Sequence, residues 1–300
     1  MRKMNRIITS GIVGCSLMAA MMACSKIDEN ERMELVSTQV VPNEPEEEVE
    51  LPDSLYDAPI EVVERRVLIE DHTGQKCPNC PDGAQIIRDL QRTYGARIVP
   101  VAIHSQMQGI MEPEGLGNEL GNTYYKAWNL EFKPAGLINR ISDGSSSVLD
   151  KTIWAMAVQF IMNNNTPDPL DIRIKAQQQK LDPTKADVDV KVIATVDGAS
   201  VDGNLQVWIT EDNITARQDS MGVRLDNYVH NHVLRAAVNG TWGEIISLRG
   251  TEGSNIREFH YATTLLQGWK TEDLDIVAFV TDENSGEVVQ VNKAKLKITE

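Results

Sequence analysis

The sequence is poor in cysteine, in basic residues and in long apolar runs, and each shortage closes off a class of function. Its 300 residues hold four cysteines, at positions 15, 24, 77 and 80. Structural zinc asks for four ligands, usually from two Cys-x-x-Cys pairs, and one such pair occurs, Cys77-Pro78-Asn79-Cys80. No histidine follows it; Pro81 stands there instead, which excludes c-type haem attachment, and no cofactor is expected. Lys and Arg number 29 against 44 Asp and Glu, a net charge of −15. A surface that acidic argues against nucleic acid and against electrostatic binding to anionic headgroups. No transmembrane relay that could carry electrons is visible, so any reducing role depends on a redox partner. What is present, 41% hydrophobic residues over the full length, suffices for two ordinary cores.

The apolar stretch from Ile7 to Ala23 follows basic Arg2, Lys3 and Arg6 and runs directly into Cys24. This is the layout of a secretory signal; a retained anchor is the alternative, since the stretch matches the shortest membrane helices. "MMACS" resembles a bacterial lipobox, with Met21 where leucine is usual. That resemblance implies that residues 1–23 are a signal peptide and that Cys24 is acylated as the mature N-terminus. Losing three positive charges with the signal takes the net charge from −15 to −18, so membrane contact should come from the acyl group alone. Export means an oxidising compartment, in which Cys77 and Cys80 are the remaining thiols. Residues 24–60, with "VPNEPEEEVELPDSLYDAP", are acidic, proline-spaced and poor in aromatics, and read as a lipidated tether. "SKIDENE" after Cys24 resembles the acid-rich export signals of surface-exposed lipoproteins, or is simply the start of a solvated linker.

Residues 61–166 carry a different texture. "VERRVLIED" predicts a buried strand leading through "HTGQK" into the cysteines. Ile86, Ile87, Leu90 and Tyr94 recur at helical spacing until Gly95, and "RIVPVAIHS" predicts a second strand. Strand, helix, strand is a βαβ unit with a parallel pair and a right-handed crossover. "NELGNTYYKAWNL" predicts a helix, "KPAGLINR" and "SSVL" short strands, and "DKTIWAMAVQFIMNN" a helix with Ile153, Trp154, Ala157, Val158 and Ile161 on one face. "NNNTPDP" marks a boundary. Over 167–300 seven alternating runs, "LDIRIKA", "DVDVKVIATV", "NLQVWIT", "VHNHVLRAAV", "EFHYATTL", "LDIVAFVT" and "EVVQVNKAKLKI", are divided by turn signals. They predict an antiparallel, immunoglobulin-like sandwich.

A Cys-x-x-Cys pair between a strand and a helix has a definite chemistry. The helix N-terminus offers unpaired N–H groups and the positive end of its dipole, so a thiolate there is stabilised. Free cysteine titrates near roughly 8.5 and falls to roughly 3.5–7.5 in such settings. Cys77 is therefore the expected nucleophile and Cys80 the resolving thiol. Pro78 suits a first helical turn, whereas Pro81 is expected to cost an intrahelical bond. The alternatives are a permanently closed staple without turnover and a partial metal site completed by His72 or His104. His230 and His232 alternate in "YVHNHVL", so they are expected on one side of a strand, as hydrogen-bonding groups or as a chelating pair. Trp208, Trp242 and Trp269 are expected to fill the sandwich core or rim.

Strand, Cys77 to Cys80, helix, strand, then "FKPAGLINR" resembles the thioredoxin fold. The resemblance implies that Pro134 is cis and shapes a groove for a substrate's extended backbone, together with Pro78, Asn79, Lys133 and Ala135. It implies that Asp71 is a buried proton acceptor for Cys80. Lys76 stands where many thioredoxins have tryptophan. The lipobox, "EDHTGQKCPNCPDG", "KPAGLINR", "NYVHNHVLRAAVNGTWGE" and "AFVTDENSGEVVQV" together resemble the twenty-eight-kilodalton outer-membrane lipoprotein family, the Omp-type surface lipoproteins. Ala135 departs from that family's usual threonine after the proline.

The expected fold is thus an α/β thioredoxin-like domain followed by an all-β immunoglobulin-like sandwich. The expected function is thiol-disulfide exchange on exported or extracellular proteins by an outer-membrane lipoprotein, facing the periplasm or the surface. The other reading is a non-catalytic adhesin or receptor in which the cysteines brace the first domain. No resident metal is expected.

Overall fold

Strand β1 (Val67–Thr73) organises the first half of the molecule, and all seven of its residues are buried. The computed structural model describes residues 56–298 except 62, 143, 145, 165–168, 197–198 and 252–254. The signal segment, Cys24 and all but the end of the tether therefore lie outside the described residues. β1 is buried on both faces because it has a strand on either side and packing above and below, which is why Val67, Leu68 and Ile69 are apolar without alternation. It pairs in parallel with β2 (Ile98–His104) and antiparallel with β3 (Ala135–Ile138), which pairs with β4 (Leu149–Asp150). Helix α1 (Cys80–Tyr94) connects β1 to β2, and α2 (Glu119–Ala127) and α3 (Trp154–Asn163) follow. α1 stops at Gly95, which adopts a positive φ of 58° and so ends the helix at little cost. Ile87 and Leu90 of α1 meet Trp154, Val158 and Ile161 of α3 over Val67 and Ile69 of β1.

The chain from Leu170 onward is all strand and loop: β5 (Leu170–Gln178), β6 (Lys185–Ala194), β7 (Ser200–Glu211), β8 (Ile214–Ser220), β9 (Val223–His230), β10 (Val233–Ala237), β11 (Glu244–Arg249), β12 (Ile256–Thr264), β13 (Leu274–Asp282) and β14 (Val288–Lys295). Three of these, β8, β9 and β11, are additional to the seven expected runs. The run "VHNHVLRAAV" is not one strand: it is the end of β9 and the whole of β10, broken at His232, whose φ is 57°. A three-stranded sheet, β12-β6-β5, packs on β7 and β13 through Ile172, Val190, Val207, Ile209 and Ile276.

The main sheet does not stop at the expected division after residue 166. Its order is β14-β13-β7-β10-β2-β1-β3-β4, with β11 added on β7. The join is β10 on β2, where Val233 pairs with Ala102 in parallel and the Ala102 amide donates to the His232 carbonyl at 2.8 Å. A core on one face of this sheet draws Leu68, Val101 and Ile103 from the first half and Trp208, Leu234 and Phe279 from the second. Trp208 is fully buried, while Trp242 is half exposed and lies edge-on against Tyr124. Within the first half, Glu70 and Arg140 form a buried two-pronged ion pair at 2.8 and 2.9 Å, and the guanidinium lies over the Trp128 ring and, from the second half, the Phe279 ring. The described chain is a mostly β-sheet protein with few helices.

Candidate functional site

The loop from Gly74 to Asn79 carries the chain from the end of β1 into α1; Cys77 sits on it and Cys80 is the first residue of the helix. Cys77 and Cys80 are joined in a disulfide with a Cα–Cα distance of 5.4 Å. The helix begins at Cys80, with Asn79 as its N-cap, so Cys77 lies in the lead-in turn, where the Cys80 amide donates to the Cys77 carbonyl at 3.3 Å. This corrects the expected position of both prolines. Pro78 precedes the helix, and Pro81 falls within its first turn, where its missing N–H would have had no intrahelical partner. Gly83, one turn further on, is closely packed: a Cβ there would meet the Trp154 ring at 3.2 Å and Pro134 at 3.3 Å. That contact sets Pro134, which follows a cis peptide bond, beside the first turn of α1.

Behind the disulfide lie two buried ionisable groups, Asp71 and Lys133. Asp71 of β1 is buried, and burial pushes its carboxyl up to about 7, with the attraction of Lys133 opposing the rise. Lys133 is buried too; its ammonium donates to the Thr73 carbonyl and to Ser105 Oγ at 2.8 Å. Burial brings its pKa down to about 7 against the pull of Asp71. Each group is thus poised to change charge near neutrality, a condition that acid–base chemistry at a sulfur requires. His72, on the opposite side of β1, is held neutral by burial, then by Lys133 and Arg140, with its pKa near 3.

A cavity of about 50 Å³ opens between α1 and β9, lined by Asp71, Cys80, His104, Gln218, Tyr228 and His230 among others. That is room for water, which needs roughly 10–15 Å³ of such space. Asp71 Oδ1 and His230 Nε2 have no hydrogen-bond partner in the protein. Burial keeps His230 neutral, with its pKa lowered to about 4, and His104 well below its ordinary value. His104 and His230 pack edge to face at 5.5 Å between ring centres. His232 instead pairs with Asp212 at 3.1 Å. His230 ends β9 and His232 stands in the turn beyond it, yet both line this cavity. Among the described residues no three His, Cys, Asp or Glu side chains converge so as to hold a metal ion.

What the sequence left unseen is the cover. β8 and β9 form a separate two-stranded hairpin lying over the cysteine loop. The Asp219 amide donates to the Gln75 carbonyl at 2.8 Å and the Met221 amide to the Pro78 carbonyl at 3.2 Å. Gln218 Nε2 donates to the carbonyls of Gly74 and Cys77 at 3.2 and 3.0 Å, and Gln75 Nε2 returns a bond to the Arg217 carbonyl. Cys77 is left 1% exposed and Cys80 2%. Of the residues expected to line an open groove, Pro78 and Asn79 reach solvent, whereas Lys133, Pro134 and Ala135 are buried. Lys133 turns inward to Thr73 and Ser105, and Ala135 is held in β3 between His72 and Asp150.

Residues 121–300 match the family of the outer membrane protein Omp28. The chain belongs to the Omp28 family. Its place is accordingly the outer membrane, and among the described residues no helix is long and apolar enough to cross one. The Omp28 match spans most of α2 through β14 and leaves Cys77, Cys80 and Asp71 outside it. Among solved structures, the chain resembles HBP35 of Porphyromonas gingivalis at 14% identity, over 78% of this chain and 76% of that one, with a TM-score of 0.59. It also resembles a domain of the outer membrane lipoprotein Omp28 from Porphyromonas gingivalis at 28% identity, over 44% of this chain and 91% of that domain, with a TM-score of 0.33. No curated protein matches the sequence.

Proposed function

We propose that this Omp28-family protein is a lipid-anchored thiol-disulfide exchange protein, acylated at Cys24, with a thioredoxin-like first half and an immunoglobulin-like sandwich. The observation that carries the reading is one juxtaposition: a disulfide at the mouth of α1, Pro134 against the first turn of that helix, and a buried carboxyl on the strand that leads into it. The strand order β2-β1-β3-β4, with β3 antiparallel to β1, supports the thioredoxin-like part. The packing of β12-β6-β5 on β7 and β13 supports the sandwich part. Clients are exported or extracellular proteins.

In the exchange, a client thiolate attacks Cys77 Sγ, a mixed disulfide forms, and the Cys77–Cys80 bond breaks with its electron pair leaving on Cys80. Asp71, protonated near neutrality, supplies the proton that the buried Cys80 thiolate takes up, directly or through cavity water. A second client thiolate then attacks the client sulfur of the mixed disulfide and releases Cys77. The client dithiol becomes a disulfide and this pair becomes two thiols; the reverse direction uses the same steps and needs a redox partner to re-reduce the pair. Incubating the oxidised protein with a reduced, unfolded client should consume one Cys77–Cys80 disulfide for each client disulfide formed, and Cys77→Ser should abolish it. Absence of any transfer removes the reading.

A second reading, a surface adhesin or receptor with a bracing disulfide, is favoured by the near-complete burial of both sulfurs. It predicts that Cys77→Ser leaves binding by the sandwich intact while lowering stability.

A further inference from the structure

The hairpin that covers the cysteines is fastened in a way unlike the rest of the fold. Among the described residues, no side chain between 214 and 230 belongs to any of the three hydrophobic cores. Its grip on the cysteine loop is made of hydrogen bonds, which water replaces at little net cost. The two backbone donors, Asp219 and Met221, are two residues apart, the spacing at which an extended chain presents successive amides to one side. Their acceptors, Gln75 and Pro78, are the carbonyls that flank Cys77. At its feet stand Asn213 and His232, both with positive φ, 56° and 57°, and the Asn213 amide is tied to Asn231 Oδ1 at 2.9 Å. Below them His232 is fixed to Asp212 and to β2. A turn of Met221 and Gly222, at φ of 47° and 84°, closes the far end; Tyr228 and His230 of β9 pack inward near the base, His230 against His104, so the part of the hairpin held by hydrogen bonds alone is β8 and the turn.

We propose that β8 occupies the binding edge of a client, and that the partner this edge takes is a polypeptide segment in extended conformation, which displaces the hairpin and pairs with Gln75 and Pro78. What the segment carries, a cysteine brought to Cys77, rests on the exchange reading above; how it binds does not. The edge selects for unfolded or exposed strand-like segments, because a folded surface cannot supply two free amides at strand spacing within reach of a loop this recessed.

Two measurements on the purified protein test this. In amide hydrogen exchange, Asp219 and Met221 should exchange far faster than the amides of β1, through opening of the hairpin alone. Exchange of these amides only at the rate of global unfolding overturns the proposal. Gln218→Ala, which keeps the fold but loosens β8, should speed reduction of Cys77–Cys80 by dithiothreitol about tenfold, the effect of roughly one or two lost hydrogen bonds. A cysteine-free peptide of sequence ITARQDSM, that of residues 214–221, should slow that reduction again, and a scrambled peptide should not. An unchanged reduction rate in the variant, or equal effects of the two peptides, contradicts the occupant named here. Failure of client oxidation with these results intact would sink the exchange reading and leave the binding edge standing.

Discussion

β1 and β8 are both seven-residue strands, yet every residue of β1 is buried while β8 buries Gln218 and little else. β1 lies between β2 and β3 in the main sheet; β8 pairs with β9 alone. One carries the acid beneath the disulfide, the other lies across the disulfide's outer side. The molecule has put its fixed chemistry on its most constrained strand and its cover on one of its least constrained. A site built this way keeps its acid–base groups out of water and still has a part able to move.

The comparison can be broken first at β1. Glu70→Gln removes one partner of the buried pair with Arg140, leaving a desolvated guanidinium, and should cost about 3–5 kcal/mol in denaturant unfolding. Ile69→Ala should cost about 2–5 kcal/mol by the same assay, because it opens a cavity against Ile87 and Trp154. A loss below about 1 kcal/mol in either variant would mean that β1 is not the rigid member of the two.

Asp71 sharpens the contrast through pH. Its folded-state pKa, about 7, is raised above the ordinary 3.8. The stability associated with its protonated form is present below about 4 and is lost as pH rises to about 7. Lys133, lowered from 10.5 to about 7, acts in the other window: its contribution grows more favourable from about 7 to 10.5. Thermal unfolding of Asp71→Asn should therefore lose less stability, or gain more, than the native chain as pH rises from 4 to 7, a difference between the two proteins that the rising contribution of neutral His72, His104 and His230 leaves in place. The same slope in both proteins would contradict the assignment.

The smallest effect is expected on the cover. Gln218→Ala should lower global stability by about 1–2 kcal/mol, the loss of its hydrogen bonds to the cysteine loop, since β8 adds no side chain to a core. A loss as large as that of Ile69→Ala would make β8 structural.

These two strands also mark how far the sequence could be read. β1 is legible because "VLIED" sits between a charged run and a turn, and α1 because Ile86, Ile87, Leu90 and Tyr94 keep a helical period up to Gly95. β8 and β9 escape because their burial does not follow polarity: apolar Val223 is exposed while Gln218 and His230 are buried, and the one local sign is the Met221-Gly222 turn. The continuous sheet through β10 and β2 rests on a single residue pairing, Val233 with Ala102, which no local pattern encodes. The approach of Lys133 to Asp71 is likewise tertiary: a lysine before a proline reads as a surface residue until Thr73 and Ser105 are seen to receive it.

The central claim is that Cys77 is the sulfur that meets the client. It is tested most directly by giving Cys80→Ala protein a disulfide-bonded client such as insulin and mapping any adduct by mass spectrometry. The account predicts a stable mixed disulfide at Cys77, formed as its thiolate attacks the client bond and releases a client thiolate. No adduct after prolonged incubation, with the protein folded and Cys77 reactive to a small disulfide, would contradict it.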